Sequence, residues 1–234
     1  MINEYRFDSR QKLLDALYKE VEATLIEDLS QSDQVSLLLS GGSTPGPLYE
    51  RLSAVDLDWS RVSVGLVDER WVDADHDASN ERLLNNTLLK NFAKAASFTG
   101  MKNAAATPFA GEVECQAQCA TLPAPYSLCL LGMGPDAHTA SLFPSAEGLA
   151  QALDSDQLCA AIQAQPSAVT GDYVERMSLT PKAILKAKKI VLLITGEDKW
   201  RVYCDARGAT DVMAAPVSLF LQQEIVDIDV YWAP

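Results

Sequence analysis

Residues 35–52, VSLLLSGGSTPGPLYERL, decide the fold class of this 234-residue chain. VSLLL is a short apolar run without polar alternation, the pattern of a strand buried on both faces. SGGSTPG is a turn signal, and PLYERL leaves it as a helix. Three further segments repeat the opening of this pattern: VSVGLV (62–67), YSLCLLG (126–132) and KIVLLIT (189–195). A last strand is expected at Ile228–Trp232, and weaker ones at Leu158–Ile162 and Tyr173–Ser178.

Helical periodicity fills the gaps. Asp8 or Ser9 can cap a helix whose Leu13, Leu14, Leu17, Val21, Leu25 and Leu29 recur at helical spacing. Ser79 caps another, with Leu83, Leu84, Leu88 and Leu89 along one side. GEVECQAQCATL (111–122), Pro181–Lys189 and GEDKWRVYCDA (196–206) also read as helices. Buried strands alternating with amphipathic helices predict an α/β chain, a mostly parallel sheet covered on both faces. The length fits one domain over residues 1–234.

Composition bounds the function. A net charge of −13 disfavours a nucleic-acid partner, because the phosphate backbone would be repelled. No apolar run approaches the roughly 18–20 residues that span a bilayer. The start, MINEYRFDSR, lacks the apolar stretch of a secretory leader, so a cytoplasmic protein is expected. Cys115, Cys119, Cys129, Cys159 and Cys204 contain no C-x-x-C pair and read as small buried side chains of a reducing compartment. Arg176–Arg207 carries eight Lys/Arg against three Asp/Glu, a net +5, which leaves −18 for the rest. Most of that segment reads as a solvated basic face, with one or two cations free for an anionic ligand.

The chemistry-bearing motifs fall at the carboxyl ends of strands, where open α/β sheets bind ligands. Around Ser40-Gly41-Gly42-Ser43-Thr44-Pro45, backbone N–H groups can converge on an anion at the helix start. A plain tight turn with a Ser/Thr cap gives the same pattern. No G-K-[ST] follows, so this is not a Walker loop. Gly132-Met133-Gly134-Pro135-Asp136-Ala137 fits G-x-G-x-x-A, but Asp154 precedes a strand instead of ending one, and Pro144 cuts the helix short. NAD binding is rejected.

His138 stands in that second loop among small residues, where it can take a proton from water and serve hydrolysis of an activated acyl group. Asp136 can orient its ring. A core histidine satisfied by a backbone carbonyl is the plainer alternative, and His76, in DADHDASN, reads as a solvated loop residue. Asp68-Glu69-Arg70 ends the second strand and can offer carboxylates and a guanidinium to the same mouth, although a surface turn looks alike. Ser141 lies near His138 without a G-x-S-x-G elbow, and two distant histidines make no metal set.

Five blocks, LSGGSTPGPLYERL (39–52), DERWVDADHDASNERLL (68–84), LLGMGPDAHTASLFP (130–144), ERMSLTPKAIL (175–185) and ITGEDKW (194–200), resemble the 6-phosphogluconolactonase family in order. The resemblance implies a Rossmann-like fold shared with glucosamine-6-phosphate deaminase, with room for small antiparallel elements at an edge. It implies hydrolysis of 6-phospho-D-glucono-1,5-lactone to 6-phosphogluconate in the oxidative pentose phosphate pathway, with no cofactor and no metal. By the same likeness Gly41, Gly42, Ser43 and Thr44 cradle the phosphate, with positive charge from Arg176 and Lys199. Arg70 and Asn80 face the sugar acid, and His138 activates the attacking water. The family pattern has glycine where this chain has Ala137; if that position needs φ > 0, alanine costs on the order of 1 kcal/mol.

Two rival functions bear on the same residues. A deaminase-isomerase of amino-sugar phosphates would use Asp68 as a base at C2 and His138 in ring opening. That relative carries an acidic residue five positions after the histidine, where this chain has Phe143. A non-catalytic sugar-phosphate-binding domain would keep the cradle but has no need of His138. The sequence fixes no oligomeric state, and a monomer is compatible with it.

Overall fold

In the computed structural model, which describes all 234 residues, the apolar runs become the interior strands of one parallel sheet. The elements, in chain order, are β1 (Ile2–Arg6), α1 (Arg10–Gln31), β2 (Val35–Leu39), α2 (Gly46–Ser53), β3 (Val62–Leu66) and β4 (Asp68–Arg70). Then come α3 (Asn80–Thr87), β5 (Ser97–Thr99), α4 (Pro108–Cys119), β6 (Leu128–Leu131), α5 (Leu149–Asp154) and β7 (Cys159–Gln163). The chain finishes with β8 (Glu175–Leu179), α6 (Pro181–Ile184), β9 (Ile190–Thr195), α7 (Glu197–Arg207), α8 (Val217–Gln222) and β10 (Ile228–Ala233).

Seven strands lie in the order β1-β10-β9-β6-β2-β3-β5, every neighbouring pair parallel. All five residues of β2 and all four of β6 are buried, which is why neither shows polar alternation. Parallel neighbours need long crossovers, and the helices supply them. Ser9 caps α1, its Oγ accepting from the Lys12 N–H, and Leu13, Leu17, Val21 and Leu25 form its buried stripe. Full burial of each such side chain contributes about 1.5–3 kcal/mol, and truncating Leu17 to Ala would cost about 2–5 kcal/mol.

From β2 the chain winds one way to β3 and β5; from β6 it winds the other way to β9 and β10. The reversal lies between β2 and β6, paired through Leu37–Leu128 and Leu38–Cys129. A crevice opens at such a switch point, beyond the carboxyl ends of the two strands. Those ends are where the two glycine-rich loops begin.

A second sheet, β4-β8-β7, is antiparallel. Val67 joins the two sheets: its N–H donates to Leu39 of the first, and its carbonyl accepts from Leu179 of the second. Asp68-Glu69-Arg70 therefore does not end the β3 strand; it opens a new one. The weaker pair of expected strands, now β7 and β8, completes that sheet.

The structure corrects three other expectations. The helix expected over 181–189 stops at Ile184, because Lys186 and Lys188 exchange backbone hydrogen bonds with Tyr126 and lead the chain into β9. Four cysteines are buried, but Cys204 is exposed. The basic segment is no uniform solvated face: Lys182, Lys188, Lys189 and Arg207 pair with Asp156, Asp28, Glu20 and Glu4, while Arg176 is buried.

Candidate active site

The switch-point crevice is a cavity of about 300 Å³. The loop after β2 forms one wall with Ser40, Gly41, Gly42, Ser43 and Thr44. The loop after β6 forms the opposite wall with Gly132, Met133, Gly134, Pro135 and His138. Asp68 and Arg70 enter from β4, Asn80 from α3, Arg176 from β8 and Lys199 from the first turn of α7. Of the eleven residues singled out in the sequence, ten line this one cavity. The eleventh, Asp136, stands behind His138.

Each wall depends on a missing side chain. A Cβ on Gly41 would lie 1.8 Å from Asn80 Oδ1, so only glycine lets the Asn80 amide fold over the loop. A Cβ on Gly134 would lie 2.1 Å from His138 Nδ1, so the histidine ring occupies the space a side chain would fill. The buried Tyr49 hydroxyl donates to the Ser40 carbonyl at 2.7 Å and pins the start of the first loop. Pro45, not Ser43 or Thr44, sits at the N-cap of α2, and no side chain caps that helix. The hydroxyl-cap alternative for this loop therefore does not hold, and both hydroxyls stay free of protein partners.

His138 Nδ1 and Asp136 Oδ1 are 2.5 Å apart. Burial alone would raise the Asp136 carboxyl, but the hydrogen bond and charge of His138 outweigh it and hold it below the usual range. An ionised carboxylate only accepts, so Nδ1 is the donor of this bond, and in the neutral tautomer that this favours Nε2 carries the lone pair. Nε2 has no protein partner, and the ring borders the cavity. The ring is held by Asp136 at the cavity wall, unlike a core histidine satisfied by a backbone carbonyl.

Phe143 was noted in the sequence only for the acid it replaces; the structure gives it a place. Its ring centroid lies 4.1 Å from that of His138, and the Arg176 guanidinium carbon is 5.3 Å from the same ring. The backbone around His138 is bent to achieve this. Ala137 has φ +62° and Ala140 φ +49°, the left-handed region that the glycine of the family pattern would enter freely.

Strand alternation sorts Asp68-Glu69-Arg70. Asp68 and Arg70 line the cavity. Glu69 does not reach the mouth: it is buried and accepts from Ser79 Oγ and from the N–H groups of Arg70, Asn80 and Glu81. It thus ties the first turn of α3 to β4 and sets Asn80, whose Nδ2 donates to the Asp68 carbonyl at 2.8 Å. The Asp68 carboxylate accepts from the buried Ser141 hydroxyl at 2.5 Å, so Ser141 is an anchor for Asp68.

Three cations line the cavity, Arg70, Arg176 and Lys199. Arg176 is 4% exposed; its Nε donates to the Tyr173 carbonyl and its Nη2 to the Thr170 carbonyl. Burial disfavours its charged form, Asp68 opposes that and Arg70 adds to it, but a guanidinium stays protonated at neutral pH. Arg70 and Arg176 are directly opposite in the antiparallel register of β4 and β8. Arg70 Nη1 donates to the Ala78 carbonyl, whereas its buried Nε has no partner. Lys199 is half-buried without a salt bridge; burial lowers its pKa against the pull of Asp136. His76 is not merely solvated: its Nδ1 accepts from the Ala78 N–H, and its ring meets Tyr173 edge-on at 5.1 Å.

Known proteins resemble this chain in sequence and in fold. Residues 8–232 match the family model described as glucosamine-6-phosphate isomerases/6-phosphogluconolactonase. The chain is 36% identical to a 6-phosphogluconolactonase of Rhizobium meliloti, over 99% of each protein. It is 37% identical to a 6-phosphogluconolactonase of Mesorhizobium japonicum, over 97% of this chain and 94% of the other. The crystal structure of a 6-phosphogluconolactonase from Shewanella baltica superposes with a TM-score of 0.94 at 38% identity, covering 100% of this chain and 98% of that one. A monomeric glucosamine-6-phosphate deaminase shares the fold alone, with a TM-score of 0.78 at 16% identity, covering 99% and 97% of the two chains.

Proposed function

The chain belongs to the family of glucosamine-6-phosphate isomerases and 6-phosphogluconolactonases, and from that premise we propose how its residues divide the work of the lactonase reaction. It hydrolyses 6-phospho-D-glucono-1,5-lactone to 6-phosphogluconate, a step of the pentose phosphate pathway. The observation that carries the assignment of roles is the 2.5 Å contact of Asp136 with His138, placed behind a cavity that also holds an anion cradle.

His138 Nε2 takes a proton from water as the water oxygen bonds to the lactone carbonyl carbon. Asp136 steadies the imidazolium that forms, a role worth about 10²–10⁴-fold in rate for the base as a whole. The tetrahedral intermediate collapses with cleavage of the ring carbon–oxygen bond. The proton held on Nε2 then goes to the departing alkoxide, which becomes the 5-hydroxyl of the product. Atoms balance with one water consumed.

Gly41 and Gly42, through their backbone N–H groups, and the unpartnered Ser43 and Thr44 hydroxyls cradle the phosphate. Arg176 and Lys199 supply its countercharge. Arg70 and Asn80 meet the sugar acid, and Asp68, fixed by Ser141, accepts from a sugar hydroxyl. The partner is thus a small phosphorylated sugar lactone. Free buried thiols suit a reducing compartment, and we place the reaction in the cytoplasm.

The deciding experiment offers 6-phosphogluconolactone and glucosamine 6-phosphate to one purified preparation, with spontaneous lactone opening subtracted. Lactone hydrolysis without ammonia release is expected. Ammonia release with no lactonase excess over background would reverse the assignment.

A further inference from the structure

Outside the cavity, three cysteines are brought together by the fold. Cys115 and Cys119 stand one turn apart on α4, and Cys159 starts β7. Their Sγ atoms all lie within 4.8 Å of one another, and those of Cys115 and Cys119 are 3.9 Å apart. We propose that these three thiols form a binding site for one soft, thiophilic d¹⁰ cation such as Cu(I), held in three-coordinate geometry.

The size of the triangle supports this. At the roughly 2.3 Å typical of metal–thiolate bonds, a trigonal ion needs sulfurs about 4.0 Å apart. One edge of the triangle already has that length, and the other two need to shorten by less than an ångström. Thiolates suit Cu(I) and zinc among the first-row ions, and the number of donors separates the two.

The scaffold is rigid. β7 is an edge strand of the small sheet, and α4 covers that edge with two side chains. Gln116 Oε1 accepts from the N–H groups of Leu158 and Cys159, and Glu112 Oε2 accepts from that of Ala161. Helix and strand are therefore stitched on both sides of the thiols, which holds the three sulfurs in register. The same stitching leaves no fourth ligand: Gln116 Oε1 is 3.9 Å from Cys159 Sγ and already has two donors. A closed tetrahedral zinc site needs four donors, so a three-coordinate ion fits better. All three thiols are buried, Cys119 in the last turn of α4 being 3% exposed, so uptake of an ion requires local opening of that helix end.

Binding breaks up to three S–H bonds, forms three metal–sulfur bonds and releases the protons to solvent, with no change of oxidation state. None of the three cysteines lines the lactone cavity.

The test titrates reduced protein with Cu(I) under anaerobic competition with a chromogenic chelator. One tight equivalent per chain is expected, with three sulfur neighbours at about 2.3 Å by X-ray absorption. Cys119→Ala and Cys159→Ser should each weaken that equivalent at least roughly 100-fold, more than loss of a supporting contact would. Cys204→Ser should leave it intact, and lactone turnover should be unchanged in all three variants. Should Cys159→Ser not fold, Cys115→Ala replaces it, and the tight equivalent should weaken by a similar factor. Copper that disappears with Cys204→Ser, or that survives Cys119→Ala, Cys159→Ser or Cys115→Ala, would overturn the site. So would a fourth oxygen or nitrogen neighbour on the ion.

Discussion

Phe143 packs against His138 with ring centroids 4.1 Å apart and the rings tilted by 34°, so this imidazole rests against an aromatic ring where the deaminase pattern has an acid. The contact fixes the plane of the imidazole, while Asp136 fixes its rotation. Phe143→Ala should therefore lower kcat by up to about 10²-fold, the cost of slight misplacement of a catalytic group. KM should change much less. A variant with wild-type kcat would show that Asp136 suffices to hold the ring.

His138→Ala should lose about 10²–10⁴-fold in lactone turnover with the fold intact, since a general base is worth that much. Gly134→Ala offers an independent check. Its new Cβ would collide with His138 Nδ1, so it should mimic loss of the base without touching the histidine itself. Normal turnover in both variants would remove His138 from the mechanism.

The Asp136–His138 pair should also leave a trace in stability. Asp136 titrates below its ordinary value of 3.8, because the bond from His138 outweighs burial. A carboxyl with a depressed pKa binds its proton less readily when folded. Its stabilisation is complete above the ordinary carboxylate range and is lost as pH falls through the lower, folded value. Asp136→Asn should therefore lower the urea midpoint at neutral pH and converge with wild type in acid. A constant gap across that range would mean that the pair contributes no pH-linked stability.

Lys199→Ala should impair use of the phosphorylated lactone by about 1.5–3 kcal/mol, the worth of a hydrogen bond to a charged group. Unphosphorylated gluconolactone should be affected far less. Arg176→Ala should show the same preference along with a loss of stability, because Arg176 also holds the carbonyls of Thr170 and Tyr173. Equal losses on both lactones would make these residues structural.

Ala137→Gly should stabilise the protein. The left-handed backbone at φ +62° costs an L-residue about 1–2 kcal/mol, of which glycine returns about 0.5–1 kcal/mol through its looser unfolded chain. A net gain of up to about 1.5 kcal/mol is expected from chemical denaturation. A loss would mean that the alanine methyl, buried in the core, contributes more than the strain it carries.

The parallel sheet was legible because its strands are buried on both faces and therefore read as unbroken apolar runs. β1 escaped that reading: INEYR sits at the sheet edge, partly exposed, and its partner β10 lies at the other end of the chain. The turn from β3 into β4 was hidden as well. Three polar residues look like a strand's end, and only the Val67 hydrogen bonds reveal a change of sheet. The site was legible wherever glycine or histidine had to stand. Ser141 and Phe143 were not, because their roles are contacts with Asp68 and His138 that no spacing encodes.

The register that sets Arg70 across from Arg176 places two guanidinium groups together on the cavity wall, with the Asp68 carboxylate pulling against their repulsion. Like charges directly opposite on one face of an antiparallel pair repel, and the unpartnered Nε of Arg70 adds a second unmet demand. A dianion taken up beside Arg176 should add countercharge to the pair, and the sugar acid beside Arg70 can meet its Nε. Even inorganic phosphate should then raise the melting temperature, and added neutral salt, by screening the repulsion, should shrink that rise.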